Sequence, residues 1–299
     1  MPVRAAPAAP PLARLWSLHA ATQWCADLAR THYENFTVLS CLTPRPRRND
    51  LAILYAYCRT VDDIGDEAVG DRLEKLDRFE RELDAAFDGE PVGPVFVALA
   101  DMVGRLKLPR EPFGKLIEAN RIDQEGGRFA TVAELLHYCD RSANPVGRLV
   151  LMLSGHRDEQ LFALSDETCT ALQWTNFWQD LRRDARAGRI YLPQDEMAAF
   201  GVTEEELLAN RASAGLRRLV RHLVERTRSR FAAGLELVGL LDGRLRVEVA
   251  LFSRGGLAIL RKIESQRYDT LVRRPTLGRA EKTALVAGTL ASRRWRRWI

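Results

Sequence analysis

Two apolar stretches, each carrying a single polar line, most narrow what this 299-residue chain can fold into. The first, LAILYAYCRTVDDIGD at 51–66, is hydrophobic almost all round a helical wheel, the pattern of a helix buried inside a protein. One stripe departs from it: Tyr55, Arg59, Asp62 and Asp66 fall at i, i+4, i+7 and i+11, on one helical face. The second stretch, 169–184, repeats the arrangement with Gln173, Asn176, Asp180 and Asp184, while Trp174, Phe177 and Trp178 occupy its other faces. Charges in such helices are costly to bury unless ions or ligands compensate them. Two stripes of this kind predict an interior acidic cavity.

The rest of the chain reads as helix. The spacing predicts helices over 12–30, 71–87, 95–106, 112–125, 132–155, 166–184, 215–240, 245–268 and 279–298. A Pro/Arg-rich turn at 44–48 precedes the first acidic helix, with Asn49 or Asp50 as its N-cap and an end near Gly65. Pro145 falls inside the 132–155 helix and should kink it. Residues 188–193, GRIYLP, form the loop after the second acidic helix. There is no period-2 strand run of useful length and no long repeat, so the expectation is all-α, a single helical domain over 15–290 with a central cavity. Residues 1–14, rich in Ala and Pro, read as a disordered leader, and 291–299 as a basic, aromatic tail.

No apolar run approaches the roughly 20 residues a bilayer span needs. The five cysteines show no CxxC pair and read as reduced packing residues of a cytoplasmic protein. A net charge of +5 hints at an anionic partner, yet basic residues mix with acids over most of the chain, which excludes a nucleic-acid stripe. The tail interleaves four arginines with two tryptophans at 293–298. That composition suits a peripheral contact with the inner face of a membrane; a frayed basic end is the plainer reading.

Asp62 and Asp66 stand one helical turn apart, about 6 Å along the axis, as do Asp180 and Asp184. Every donor in the two stripes that suits a metal is a hard oxygen, which selects Mg²⁺ over zinc or copper. Magnesium is held by few carboxylates plus substrate phosphate oxygens, so a diphosphate is the fitting ligand. Arg59 suits a phosphate oxygen; an ion pair with Asp62 or Asp63 is its structural alternative. Aromatic faces at Phe36, Tyr55, Tyr57, Trp174, Phe177 and Trp178 offer stabilisation to a carbocation formed when the diphosphate leaves. Gln173 reads as polar cavity lining or a satisfied buried amide, and His32 as a substrate contact or a cap. Glu134 and His137 match one Glu-x-x-His of a di-iron bundle without its second copy, and read as a surface pair.

These residues resemble the squalene/phytoene synthase family. RTVDDIGD at 59–66 looks like its first aspartate-rich motif, NFWQDLRRD at 176–184 like its second, and Tyr55, Gln173 and the GRIYLP loop match as well. The resemblance spans roughly 31–276 and implies an all-helical isoprenoid-synthase fold. Within the family the chain is most similar to the hydroxysqualene synthases of bacterial hopanoid biosynthesis, through HYENF at 32–36, RSANPVGR at 141–148 and NFWQD at 176–180. The resemblance implies Mg²⁺-dependent loss of diphosphate from presqualene diphosphate, opening of its cyclopropane and capture of water, without NADPH. It implies metal ligation by Asp62, Asp66, Asn176, Asp180 and Asp184, a catalytic place for Tyr55, and substrate contacts at His32, Asn35, Phe36, Arg59, Gln173 and Arg273.

Departures from the wider family sharpen this. Members that condense two prenyl diphosphates usually carry Ser-x-Ser-Phe where this chain has YENF at 33–36, and Arg where it has Gln179. A late Tyr common in the family is Leu260 here. The losses suggest a site built for one diphosphate. Two rivals stay open: a head-to-head prenyl transferase making presqualene diphosphate, squalene or phytoene, and a non-catalytic helical assembly factor of the same fold.

Overall fold

A computed structural model describes residues 16–31, 45–209 and 211–291. The leader, the segment containing His32, Asn35 and Phe36, Cys41, and the tail after Ala291 lie outside the described residues. Among the described residues the chain is all-α; no strand forms beyond an isolated parallel bridge between Arg128 and Ile190. No described helix is long and apolar enough to cross a membrane. The described cysteines Cys25, Cys58, Cys139 and Cys169 are free thiols, in keeping with packing residues.

The chain divides into two compact units, residues 1–67 with 74–110, and residues 68–73 with 111–299. In the first, α1 (Leu18–Thr31), α2 (Arg45–Asp66), α3 (Arg72–Phe87, from residue 74 on) and α4 (Gly93–Leu106) pack together. Ala21, Cys25 and Ala29 recur every fourth residue on the buried side of α1, and such small side chains let neighbouring backbones approach. Tyr57 of α2 lies against the rings of Phe79 and Phe96, centroids 5.2 and 6.3 Å away.

The first acidic helix begins earlier than its sequence suggested. Residues 45–48 are its first turn and not a separate turn, because Pro46 near a helix start removes a donor that has no intrahelical acceptor there. Asn49 and Asp50 are therefore interior positions. Asp50 is buried and caps nothing; its carboxylate accepts from Arg105 of α4 at 2.6 Å.

The second unit holds α5 (Glu111–Gln124), α6 (Val132–Ser142), α7 (Asn144–Leu153), α8 (Glu159–Arg186), α9 (Gln194–Phe200), α10 (Glu204–Leu207), α11 (Ala214–Leu240), α12 (Gly243–Ser265) and α13 (Arg279–Ala291). The expected kinked helix over 132–155 is two helices parted at Ala143. Pro145 in the first turn of α7 cannot donate back into α6, so the ladder restarts. The short α9 and α10 were not foreseen; each is under three turns and carries little periodic signal. Glu134 serves as a cap, its carboxylate accepting from Ala130 N at 2.7 Å while Thr131 Oγ1 accepts from Glu134 N, and His137 contacts Arg141. The pair is a surface feature, as the lone motif implied.

The 28-residue α8 is the axis of this unit. It packs most closely on α11, where Gly234 gives room to Thr168 and Trp178 Nε1 donates to Thr227 Oγ1 at 2.8 Å. Gly147 of α7 lies against Ser165 and Cys169. Trp174, Phe177, Trp178, Leu181, Phe231 and Leu260 belong to one buried cluster. Each such large apolar side chain contributes roughly 1.5–3 kcal/mol by leaving water, which fixes the face that α8 leaves outside the core.

Candidate active site

The first acid row is what α2 leaves outside its packing. Leu51, Ala52, Ile53, Leu54, Ala56, Tyr57 and Val61 are buried; Tyr55 and Arg59 are half-buried, and Asp62 and Asp66 are exposed. Arg59 Nη2 meets Asp63 Oδ1 at 2.5 Å and Glu67 Oε1 at 3.1 Å. Its Nε is buried with no hydrogen-bond partner among the described residues. A guanidinium with a buried N–H to spare suits an added anionic oxygen. The ion-pair reading of Arg59 is met at Asp63, through Nη2, and Nε is left as a spare donor. Burial pushes the Tyr55 hydroxyl pKa up; the Arg59 charge opposes this, and Asp63 and Asp62 reinforce it. The four side chains form one electrostatic group.

The second row runs along the exposed side of α8. Gln173 is half-buried, Asn176 exposed, and Asp180 and Asp184 half-buried. Asp180 is held by both guanidinium arms of Arg274, Nε to Oδ1 and Nη2 to Oδ2 at 2.8 Å. The residue named from sequence, Arg273, is exposed, and it is its neighbour that reaches the carboxylate. The same loop is tied to α8 twice more: Gln179, buried, donates its amide to the Pro275 carbonyl, and Arg182 Nη1 donates to Leu271 O at 3.2 Å.

Asp184 is the most perturbed acid of the row. Burial, then the Asp180 charge, push its carboxyl up to about 7, against the pull of Arg183 and Arg189; Asp123 adds to the rise. Asp123 accepts from Tyr138 at 2.8 Å and from Tyr191 at 2.9 Å, and Tyr191 stacks on Phe177 with centroids 4.0 Å apart. Ile190 N donates to Gly127 O at 3.0 Å, which fixes the GRIYLP loop. Sequence reading missed Arg274, Arg189 and Asp123. The adjacent arginine pair and the GRIYLP loop were the available signals for the first two; Asp123 carries none, since a lone acid near a helix end looks like any other.

The aromatics read as cation stabilisers are mostly core. Tyr57, Trp174, Phe177 and Trp178 are buried, their rings packed on neighbours. Tyr57, Trp174 and Trp178 lie on helix faces turned away from the acids, whereas Phe177, seven residues before Asp184, is buried beside the row and stacks on Tyr191. Tyr55 alone among the described ones stands in an acid row.

The family model described as squalene/phytoene synthase matches residues 29–281. This chain belongs to the squalene/phytoene synthase family. It is an enzyme of that head-to-head prenyltransferase family, acts on isoprenoid diphosphates and has the isoprenoid-synthase fold. A phytoene synthase of Arthrospira platensis is 32% identical over 265 residues, 84% of this chain and 86% of the relative. The crystal structure of squalene synthase HpnC from Alicyclobacillus acidocaldarius is 45% identical, with a TM-score of 0.80 over 84% of this chain and 95% of that one. A dehydrosqualene synthase structure matches with a TM-score of 0.83 at 23% identity, covering 92% and 96%, a likeness of fold.

For a squalene/phytoene synthase, the donor set fits magnesium. The row offers hard oxygens, and the Asp180–Asp184 repulsion that lifts the Asp184 pKa is of the kind a divalent cation relieves. Among the described residues no three His, Cys, Asp or Glu side chains converge as a metal cluster. A cation bound with few carboxylates completes its shell from substrate phosphate and water, as magnesium does.

Proposed function

We propose that this squalene/phytoene synthase family member is a hydroxysqualene synthase. The observation that carries the reading is the 45% identity to a squalene synthase over 84% of the chain, against 32% for the phytoene synthase over a similar span. Gln179 supports it: a neutral amide, buried and tied to Pro275, stands where two-substrate members commonly place a phosphate-binding arginine.

The reaction breaks the C–O bond of presqualene diphosphate, and the diphosphate leaves with the electron pair. The cyclopropylcarbinyl cation rearranges and opens, water adds, and loss of its proton gives hydroxysqualene. Carbon is neither reduced nor oxidised by an external agent, so no NADPH enters. Magnesium supplies charge to the departing diphosphate. In this reading Asp62 and Asp66 on the first row, and Asn176, Asp180 and Asp184 on the second, would each serve as magnesium ligands. In this reading Arg59 through its spare Nε, Gln173 of the second row and Arg273 on the loop after α12 would be diphosphate contacts, and His32, Asn35 and Phe36 contacts to the substrate chain. Tyr55, its hydroxyl kept protonated, lends a donor beside the first row.

The test is product analysis. Purified protein with presqualene diphosphate and Mg²⁺, without NADPH, yields hydroxysqualene and diphosphate. Supplied with farnesyl diphosphate alone it yields nothing; formation of presqualene diphosphate, squalene or phytoene from that substrate would replace this reading with the head-to-head condensation.

A further inference from the structure

The chain leaves α12 through a strained turn. Arg267 and Tyr268 both have left-handed backbone, φ 52° and 60°, a conformation that helix ends usually give to glycine. Tyr268 N donates back to Ile263 O at 2.9 Å, which closes the end of the helix. Residues that carry a Cβ stay in this conformation only where their surroundings hold them.

What holds them is Arg217, in the first turn of α11. Its guanidinium donates three times: Nη1 to Arg267 O at 3.2 Å, Nη2 to Asp269 Oδ2 at 2.7 Å and Nε to Ala212 O at 3.2 Å. Asp269 is buried, and Ala212 N donates to the same Oδ2 at 3.2 Å. Its other oxygen, Oδ1, and the hydroxyl of Thr270 beside it are buried without a hydrogen-bond partner among the described residues. A buried carboxylate so short of donors is costly, and Arg217 supplies the charge that keeps it inside. Without Arg217, Asp269 reaches water only by carrying the backbone of the turn outward.

That turn begins the loop whose far part meets the second acid row. Arg274, five residues after Asp269, holds Asp180, and between them Leu271 O accepts from Arg182 of α8. These contacts grip the loop downstream; Arg217 fixes where it sets out. Among the described residues Arg217 bonds no side chain of the row itself. We propose that Arg217, with Asp269, is a positioning residue that aims Arg274 at Asp180 by holding the left-handed turn at 267–268. The inference rests on the second acid row being the reaction site, and not on which isoprenoid diphosphate is converted.

A double-mutant cycle tests it, read by steady-state diphosphate release with presqualene and farnesyl diphosphate each offered in turn. Arg217→Ala alone lowers turnover per folded enzyme about tenfold or more. Beside Arg274→Ala the same change costs under about twofold, since no guanidinium remains to be aimed. Arg217→Lys keeps a charge opposite Asp269 but not the three bonds, and covers an alanine variant that fails to fold. It loses at least about threefold alone and again little beside Arg274→Ala. Adding Arg267→Gly raises the turnover of either Arg217 variant at least about twofold, because glycine takes the left-handed conformation without strain. Circular dichroism and urea melts give the folded fraction. Equal losses in the two backgrounds reduce Arg217 and Asp269 to a structural pair and overturn the proposal, as does unchanged turnover in both Arg217 variants or no gain from the glycine. Wild-type turnover in Arg274→Ala overturns it as well, and with it the reading of the second row, which the other outcomes leave standing.

Discussion

Arg274 holds Asp180 through both arms of its guanidinium, joining the loop after α12 to the middle of the second acid row. The geometry is bidentate, which gives the pair direction as well as charge, and the arginine itself is 46% exposed on its side chain. Its loss should affect the row in two ways. Arg274→Ala removes a cation beside Asp180 and frees the loop at one of its three ties to α8. Turnover should fall about a hundredfold by steady-state diphosphate release. Arg274→Lys should recover less than a tenth of that, since a lysine cannot form the fork; full activity in the lysine variant would reduce the pair to simple charge.

Asp184 gives a pH-dependent prediction in metal-free buffer. Its carboxyl is raised from 3.8 to about 7 in the fold. The folded state therefore holds the proton more tightly than the unfolded chain, and ionisation weakens the fold. The cost is absent below pH 4, grows as pH rises through the interval between these values, and is complete above about pH 7. Three pK units correspond to about 4 kcal/mol, and partial solvent access reduces this to about 2–3 kcal/mol. Asp184→Asn in EDTA should raise unfolding stability by about 2 kcal/mol at pH 8 and leave it unchanged near pH 4. Urea melts at the two pH values measure this; equal stabilisation at both would show that charge is not the cause.

The metal-ligand reading predicts a loss of function without loss of fold. Asp62→Asn and Asp180→Asn, each alone, should lower kcat by about a hundredfold or more and raise the Mg²⁺ concentration needed for half-maximal rate. Their helical circular dichroism should match the wild type. EDTA should abolish turnover and added Mg²⁺ restore it. Either variant retaining wild-type magnesium dependence would remove that residue from the ligand set.

Gly234 controls how closely α11 approaches the acid-bearing helix. A methyl group there would meet Thr168 Oγ1 and stand 2.9 Å from its backbone nitrogen and 3.1 Å from its Cα. Gly234→Ala should destabilise the protein by about 2–3 kcal/mol by chemical denaturation, the scale of a tightly overpacked core. Thr168→Ala in the same chain should return under half of this, because backbone atoms remain in the way. Complete rescue would place the clash in the side chain alone.

Much of this was legible in the residues because the helices carry strong periodicity. The bodies of α2, α8, α11 and α12 follow from apolar spacing over several turns, and the acid rows follow from the same spacing read for polar residues. Boundaries were less legible. Asp50 has the composition of a cap, yet its carboxylate answers to Arg105, 55 positions away in the chain; no local pattern records that partner. The aromatic residues illustrate the reverse error. Trp174 and Trp178 neighbour the acids in sequence, but consecutive helical positions point about 100° apart, so closeness along the chain set them on the far side.

The sequence by itself determined the helical class, the two oxygen-rich rows and the family they mark, since each is a repeat along one chain and needs no knowledge of what lies across from it. Tertiary structure decided which arginine meets Asp180, what Gln179 bonds to, and why Asp184 is harder to ionise than a free carboxyl. Those depend on groups from distant helices and loops meeting in a place where water is scarce, and the strength of a charge there is set by its surroundings, not by its own position in the chain.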